Sequence, residues 1–262
     1  MKFAGIIAEY DPFHNGHAWQ LAQAKALGAE RVAVAMSCSL VQRGALPLLP
    51  EAVRTRSALT CGADLVFALP APCACAGAEA FARAGVALLA AAGCDGLVFG
   101  AETPDAALLM EAAELLDSGS YRAALKAQLA SGARSFAAAR QAAAAQLASD
   151  ERVAALLDKP NNNLAVEYCR AIRSLAPRME AYPLPRQGAN HGEALHSAHG
   201  QFASASALRK LWAEGGADAV APYVPEAVFP LYQEAYAAGQ YTDFSAAGRC
   251  ELALLRSACR GK

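Results

Sequence analysis

Two histidines stand three residues apart near the N-terminus, as His14-Asn15-Gly16-His17. If a helix begins near Asn15, both imidazoles can point to one place beside its positive N-terminal end. Gly16 would let a ligand approach the backbone closely, because it has no side chain over the turn. The spacing suits an anionic phosphate, with imidazole donors stabilising the charge that develops on phosphoryl oxygens during in-line displacement.

The spacing of the histidines alone leaves two other interpretations open. The histidines could only cap the helix, or they could bind a metal ion, for which histidine is the commonest ligand. The eight cysteines form no pair of CxxC motifs and have no histidine at zinc-site spacing. We interpret them as small apolar residues in a reducing compartment, with a metal role for Cys73 and Cys75 as the less favoured alternative. No protein-bound metal site is predicted.

The elements that would position the histidines are apolar runs separated by segments of helical composition. The predicted strands cover residues 3–8, 31–36, 64–69 and 96–99, with a last one at 179–183. Strands that alternate with helices predict an α/β fold with a parallel sheet and right-handed crossovers. The histidines would then follow the first strand, at the carboxyl ends of the strands, where open parallel sheets bind ligands.

The rest of the chain is predicted to be mostly helical. Residues 105–157 have helical composition, interrupted at Gly119 and Gly132, and are interpreted as a helical insertion. A helix is expected at 164–174 with an asparagine as its N-cap, then a loop at 184–200, a helix from Ser204 and a last helix at 244–256. We predict a nucleotide-binding domain over 1–212 and a helical C-terminal extension over 213–262.

Composition limits the classes of function. The 262 residues are 55% hydrophobic and 18% charged, which is enough for a large folded domain and argues against disorder. The net charge of −1 argues against nucleic-acid binding by overall positive charge, although a local basic groove remains possible. No run of about 18 apolar residues and no signal-peptide pattern occurs, so a cytoplasmic protein without membrane contact is expected.

The segment 5–17, GIIAEYDPFHNGH, contains the HxGH signature of the nucleotidyltransferase superfamily and resembles more specifically the tRNA(Met) cytidine acetate ligase family. Five further segments match that family in order: 41–44, 62–66, 99–102, 159–162 and 204–209. The resemblance implies a Rossmann-like parallel sheet of the HxGH nucleotidyltransferase type. It also implies an ATP-dependent ligase that forms acetyl-adenylate from acetate and transfers the acetyl group to N4 of the wobble cytidine of elongator tRNA(Met).

The resemblance also implies a set of site residues. His14, His17 and Arg209 would be catalytic, and the segment 7–20 would contribute most of the ATP site. ATP, acetate and tRNA are the expected partners, with Mg²⁺ accompanying ATP because it neutralises the triphosphate. The expected nucleotide-binding residues are Ile7, Ala8, Glu9, Tyr10, Pro12, Phe13, Asn15, Gly16, Gly100, Glu102, Asn161, Asn162, Arg186, Ser204 and Ser206.

Physical arguments for the later motifs leave alternatives. Gly100 follows a strand and leaves room for an adenine or ribose, or is a simple turn glycine. Ser204 and Ser206 could converge with a nearby guanidinium on phosphate, or only cap a helix. Glu102 could orient a ribose hydroxyl or a metal-bound water, or cap the segment after it. Arg43 could contact acetate, phosphate or tRNA, or be solvated.

Two residues and the chain length depart from the family pattern. Asp11 stands where the family usually has asparagine, and it would oppose an anion unless it holds Mg²⁺ or has a raised pKa. Glu51 stands where the family usually has lysine. Family members continue well beyond residue 262, so a truncated chain and a shortened paralogue are both possible. Two other functions therefore stay open: an adenylyl- or cytidylyltransferase acting on a small phosphorylated metabolite, and a catalytically silent nucleotide- or RNA-binding paralogue.

Overall fold

The computed structural model describes residues 1–185, 195–197 and 200–248. Within these ranges, the side chains of residues 43, 195–197 and 200–201 are not described. Its frame is a five-stranded parallel sheet in the order β3-β2-β1-β4-β5. The strands are β1 Phe3–Ala8, β2 Arg31–Ser37, β3 Leu65–Leu69, β4 Gly96–Ala101 and β5 Glu180–Pro185. Two short strands, β6 Leu195–Ser197 and β7 Gly200–Phe202, pair antiparallel. The predicted parallel α/β fold is confirmed.

Helices cover both faces of the sheet. Apolar side chains of α4, α5 and α9 pack on one face, and those of α1, α2, α10 and α11 pack on the other. No helix in these described ranges is long and apolar enough to cross a membrane. The helices are α1 Asn15–Ala26, α2 Glu51–Thr60, α3 Ala71–Ala74, α4 Ala78–Ala91, α5 Ala106–Asp117, α6 Gly119–Ala130, α7 Phe136–Leu147, α8 Glu151–Leu156, α9 Pro160–Leu175, α10 Ala205–Val220 and α11 Phe229–Ala237.

The predicted helical insertion is present as α5 to α8, which begin and end within a residue of the expected 105–157. Several predicted boundaries were wrong. α9 begins at Pro160, so the asparagines that follow lie inside its first turn and none is the N-cap, because proline is well suited to a first helical position. β5 continues to Pro185, into the segment predicted as a loop. The predicted helix at 244–256 extends beyond the described residues.

The loops at the carboxyl edge of the sheet are held by Arg54, a fully buried residue of α2. Its Nη1 donates to the carbonyl oxygens of Glu9, at 2.7 Å, and Ser37, at 2.6 Å. Its Nε donates to the Leu49 carbonyl at 3.0 Å, and its Nη2 donates to the Cys38 carbonyl. One guanidinium therefore ties the ends of β1 and β2 to the segment before α2, and it satisfies backbone acceptors that are shielded from water.

We expect Arg54→Leu to lower the free energy of unfolding by at least about 3 kcal/mol, because it leaves several buried carbonyls without a donor. Arg56→Leu is the matched control on the same helix. Its side chain is 60% exposed and its Nη1 lies 3.8 Å from the Glu234 carboxylate, so we expect a change below about 1 kcal/mol. Urea unfolding followed by circular dichroism measures both, and equal losses would contradict the role given to Arg54.

Candidate active site

A cavity of about 360 Å³ lies at the carboxyl ends of β1 and β4. The strand order reverses between these two strands, since the chain builds outward from β1 to β3 on one side and through β4 to β5 on the other. Such a switch point is where open parallel sheets form ligand crevices. Ten of the predicted site residues line this cavity: Ile7, Ala8, Glu9, Tyr10, His14, Gly16, His17, Gly100, Asn161 and Ser204.

The two histidines cap α1 with their side chains. His14 is the N-cap, and its Nδ1 accepts the backbone N–H of Gly16 at 3.0 Å. The Nδ1 of His17 accepts the backbone N–H of His14 at 3.3 Å. The two rings stack with their centroids 3.7 Å apart. Because each Nδ1 accepts a hydrogen bond, the proton of each neutral ring lies on Nε2. Capping therefore fixes the tautomers, and both rings still face the cavity.

The rings are held in place by their neighbours. A Cβ on Gly16 would lie 2.9 Å from Cε1 of His14, so only glycine allows that ring to fold over the helix start. Tyr10 has a φ of 50°, a conformation that costs a non-glycine residue about 1–3 kcal/mol and is found at functional sites. It packs edge-on against the His17 ring at 4.8 Å between centroids. With this backbone conformation, the Tyr10 ring lies against His17 of the histidine pair.

Three predicted nucleotide contacts lie behind the cavity wall. Pro12, Phe13 and Asn15 are buried. The Phe13 carbonyl accepts the hydroxyl of Tyr232 from α11 at 2.7 Å, and Nδ2 of Asn15 donates to the Pro222 carbonyl at 3.3 Å. These contacts of Phe13 and Asn15 support the loop, and none of the three residues lines the cavity.

Asp11 is paired with Arg209. Its Oδ1 accepts the backbone N–H of Leu48 at 2.6 Å, and its Oδ2 lies 3.2 Å from Nη1 of Arg209, which also donates to the Asp11 carbonyl at 2.6 Å. Burial raises the pKa of the Asp11 carboxyl, in spite of these two partners. Arg209 lies beside the cavity without lining it, so its predicted catalytic role requires the guanidinium to reach a ligand from this position.

Glu102 and the asparagines form one hydrogen-bonded group at the start of α9. The Glu102 carboxylate accepts Nδ2 of Asn161 at 2.6 Å and the backbone N–H of Asn162 at 2.7 Å. Glu102 therefore caps the start of α9. One expectation from the sequence was that Glu102 would cap the segment directly after itself, whereas α9 begins at Pro160. Asn162 is buried and its Oδ1 accepts the Thr103 N–H at 2.9 Å. Asn161 faces the cavity, and its hydrogen bond to Glu102 holds it there.

The remaining predicted residues have mixed positions. Ser204 caps α10, with its Oγ accepting the Ala207 N–H at 3.2 Å, and its hydroxyl lies 3.0 Å from that of Ser206. Ser204 lines the cavity and Ser206 does not. Arg186 lies outside the described residues, and the side chain of Arg43 is not described.

The sequence interpretation missed several residues that line the cavity, among them Gln42, Phe81, Leu164 and Tyr168. Leu164 and Tyr168 follow Asn161 by three and seven residues, which places them on the same face of α9. That spacing was a signal in the sequence. Phe81, on α4, had none. Within the described part of the chain, no cluster of three or more histidine, cysteine or carboxylate residues could hold a metal ion.

A parallel sheet with a histidine-capped helix at its switch point defines a Rossmann-like protein of the nucleotidyltransferase class. A family model described as HIGH Nucleotidyl Transferase matches residues 1–257, and the chain belongs to this family.

Individual relatives agree with the predicted resemblance. A tRNA(Met) cytidine acetate ligase of Syntrophotalea carbinolica is 41% identical over 82% of this chain and 52% of its own length. One from Caldanaerobacter subterraneus is 35% identical over 92% of this chain and 60% of its own. The crystal structure of Thermotoga maritima TmcAL bound with alpha-thio ATP superposes with a TM-score of 0.82 at 30% identity, over 92% of this chain and 57% of that chain. The resemblance to this family is confirmed, and the chain spans between half and three fifths of these relatives.

The raised pKa of Asp11 gives a pH-dependent prediction. A carboxyl with a higher pKa in the folded state binds its proton more tightly there, so the free energy of unfolding falls as pH rises from the unfolded-state pKa through the folded-state pKa. Asp11→Asn carries no charge and lacks this loss. The free energy of unfolding of the variant minus that of the wild type should therefore be more positive at about pH 7 than at about pH 3.

Asp64→Asn is the control with the opposite sign. Its hydrogen bond from Lys25 lowers the pKa of Asp64, so ionised Asp64 stabilises the folded protein and the variant should lose stability towards about pH 7. Urea unfolding of both variants over a pH series measures the two differences. A parallel trend for the two variants would contradict the assignment for Asp11.

Proposed function

We propose that this chain binds ATP, forms acetyl-adenylate from ATP and acetate, and transfers the acetyl group to N4 of the wobble cytidine of elongator tRNA(Met). The observation that carries the proposal is the pair of imidazoles held by capping at the start of α1, facing a cavity at the switch point of the sheet. The relatives named tRNA(Met) cytidine acetate ligase, and the ATP analogue in the Thermotoga maritima structure, support the same ligand and reaction.

The cavity has the features that a nucleotide requires. Its volume of about 360 Å³ lies within the range of small-molecule sites, about 300–1,000 Å³. The N-terminus of α1 offers backbone N–H groups and a positive dipole to phosphates. At Gly100 an added Cβ would have no atom within 4 Å, so the strand end leaves open space for a flat adenine or ribose. The rings of Phe81 and Tyr168 supply apolar surface nearby.

The first step would be an in-line displacement. A carboxylate oxygen of acetate attacks the α-phosphorus of ATP, and the bond to the bridging oxygen of the β-phosphate breaks, which releases pyrophosphate. Negative charge accumulates on the equatorial oxygens, and the Nε2–H groups of His14 and His17 would donate to it. The N4 amine of cytidine then attacks the acetyl carbonyl carbon, AMP leaves and the amine loses a proton. No covalent bond to the protein forms.

Magnesium is proposed to arrive with ATP. The carboxylates that line the cavity are Glu9, whose Oε1 accepts the Gln42 N–H at 2.6 Å, and Asp11, both of whose oxygens have partners. These two groups are already used by the protein and form no magnesium cage. Triphosphate oxygens would therefore supply most of the ligands, and the ion would neutralise charge on the pyrophosphate leaving group. The proposal includes a cytoplasmic site of action. It also includes a nucleotide-binding domain that ends at residue 212 and is followed by a helical extension.

Acetate-dependent exchange of pyrophosphate into ATP tests the first step, and mass spectrometry of nucleosides from elongator tRNA(Met) tests the second.

We expect His14→Asn to retain the fold, because asparagine is a good N-cap. We expect it to lower the exchange rate about 100-fold, as does loss of one transition-state donor. Thermal unfolding separates the two effects. Wild-type exchange in this variant would contradict the role of the imidazole, and acetate-independent pyrophosphate release with a phosphorylated metabolite would favour the alternative transferase.

Gly100→Val tests the position of the nucleotide. The free protein has room for the new side chain, so we expect nearly unchanged stability, but the side chain would occupy the space assigned to adenosine. ATP binding measured by calorimetry should weaken at least about 30-fold, which corresponds to about 2 kcal/mol. Gly119→Val, at the start of α6, is the matched control, since it also adds a side chain in open space. Equal ATP affinity in the two variants would place the nucleotide elsewhere.

A further inference from the structure

A second cavity lies on the opposite side of helices α4 and α9. It is a groove of about 900 Å³ between these two helices and the inserted helices α5, α6 and α7. α4 and α9 form the wall between the groove and the candidate active site. Phe81 and Tyr168 line the active-site cavity, whereas Arg83 and Arg170 on the same helices line the groove. The helical insertion thus builds a second site next to the first.

The groove is rich in charge. Its lining includes four arginines, Arg83, Arg122, Arg140 and Arg170, and three carboxylates, Glu79, Asp117 and Glu167. Two of the arginines hold all three carboxylates. Glu167, which is 2% exposed, is paired with Arg140 and lies 2.7 Å from Nη1 of Arg170. Arg170 also contacts Asp117 at 2.8 Å and Glu79 at 3.5 Å. These pairs join the insertion to α4 and α9.

The other two arginines have only neutral acceptors among the contacts of the described residues. Nη1 of Arg83 donates to the Ser174 hydroxyl at 3.1 Å. Nη2 of Arg122 donates to the backbone carbonyl of Asp117 at 2.8 Å, and its Nε donates to that of Ser118 at 3.4 Å. Both side chains belong to exposed residues. Two guanidinium charges on the lining therefore remain for an anion, and guanidinium is well suited to phosphate.

An exposed aromatic ring completes the groove. Phe136 is the first residue of α7 and is 60% exposed, although it lines the same groove as the arginines. A phenylalanine ring beside unpaired guanidiniums matches the two parts of a nucleotide, because the ring can stack on a base while the cations bind phosphates. The apolar face of a base would also cover ring surface that is now in water.

We propose that this groove binds single-stranded RNA, with phosphates on Arg83 and Arg122 and a base stacked on Phe136. The inference rests on the proposed function, which makes a tRNA the RNA in question. Arg83 lies on α4 and Arg122 on α6, so the two proposed phosphate positions lie on different helices of the same groove. A free nucleotide offers the same chemistry, and the test distinguishes the two. The local positive charge explains how a chain of net charge −1 binds RNA.

The test measures binding of a fluorescently labelled elongator tRNA(Met) transcript to the chain by anisotropy, over a series of salt concentrations. We expect Arg83→Ala/Arg122→Ala to weaken binding about tenfold and to reduce the slope of log K against log salt by about 1.5, as expected for two lost phosphate contacts. Phe136→Ala should weaken binding about tenfold without changing the slope, because stacking involves no counterion release.

Arg31→Ala/Arg178→Ala is the control with the same loss of charge. Arg31 begins β2 and Arg178 precedes β5, so both lie at the amino edge of the sheet, away from the groove. Equal affinity and salt slope in the two double variants would overturn the proposal. Cytidine monophosphate binding that disappears in Arg83→Ala/Arg122→Ala, while tRNA binding stays unchanged, would also overturn it and assign the groove to a free nucleotide. Pyrophosphate exchange does not involve the groove, so it tests the proposed function separately.

Discussion

The candidate active site depends on one buried guanidinium. Arg54 donates to carbonyl oxygens at the ends of β1 and β2 and before α2, and each of these segments is then at a fixed distance from the others. Burial lowers the pKa of Arg54, while the nearby carboxylates of Asp11, Glu51 and Glu9 favour its charged form. Glu51 therefore adds negative charge beside this cation. The loop that carries the histidines starts from a backbone that Arg54 has already positioned.

From that starting point, structural and proposed chemical roles fall on the same residues. The Nδ1 atoms of His14 and His17 satisfy backbone N–H groups at the start of α1, which directs the other nitrogen of each ring away from the helix. Helix capping and phosphate binding were alternatives in the sequence, but they use different nitrogens of the same ring. Preorganisation of this kind matters because donors that are already oriented need no rearrangement as charge develops. Glu102 acts similarly, since capping α9 also places Asn161 at the cavity.

Local sequence signals predicted the strands, the helices over 105–157 and the sheet edge at which the cavity lies, since each depends on periodicity or on a short motif. Contacts between distant segments could not be predicted in this way. Asp11 meets Arg209 across 198 positions, and Glu102 caps a helix that begins 58 residues later. Neither pairing leaves a periodic pattern, because only the folded sheet brings the partners together. The start of α1 near Asn15 was predicted correctly, but capping by the histidines was only one of the alternatives, because the ring contacts that fix it are visible only in three dimensions.

The most direct test of the central claim is a crystal structure of this chain with a non-hydrolysable ATP analogue. The account predicts that the α-phosphate lies within hydrogen-bonding distance of Nε2 of His14 and His17, and that the adenosine occupies the open space over Gly100. An analogue bound elsewhere, or bound with its phosphates turned away from the start of α1, would contradict it.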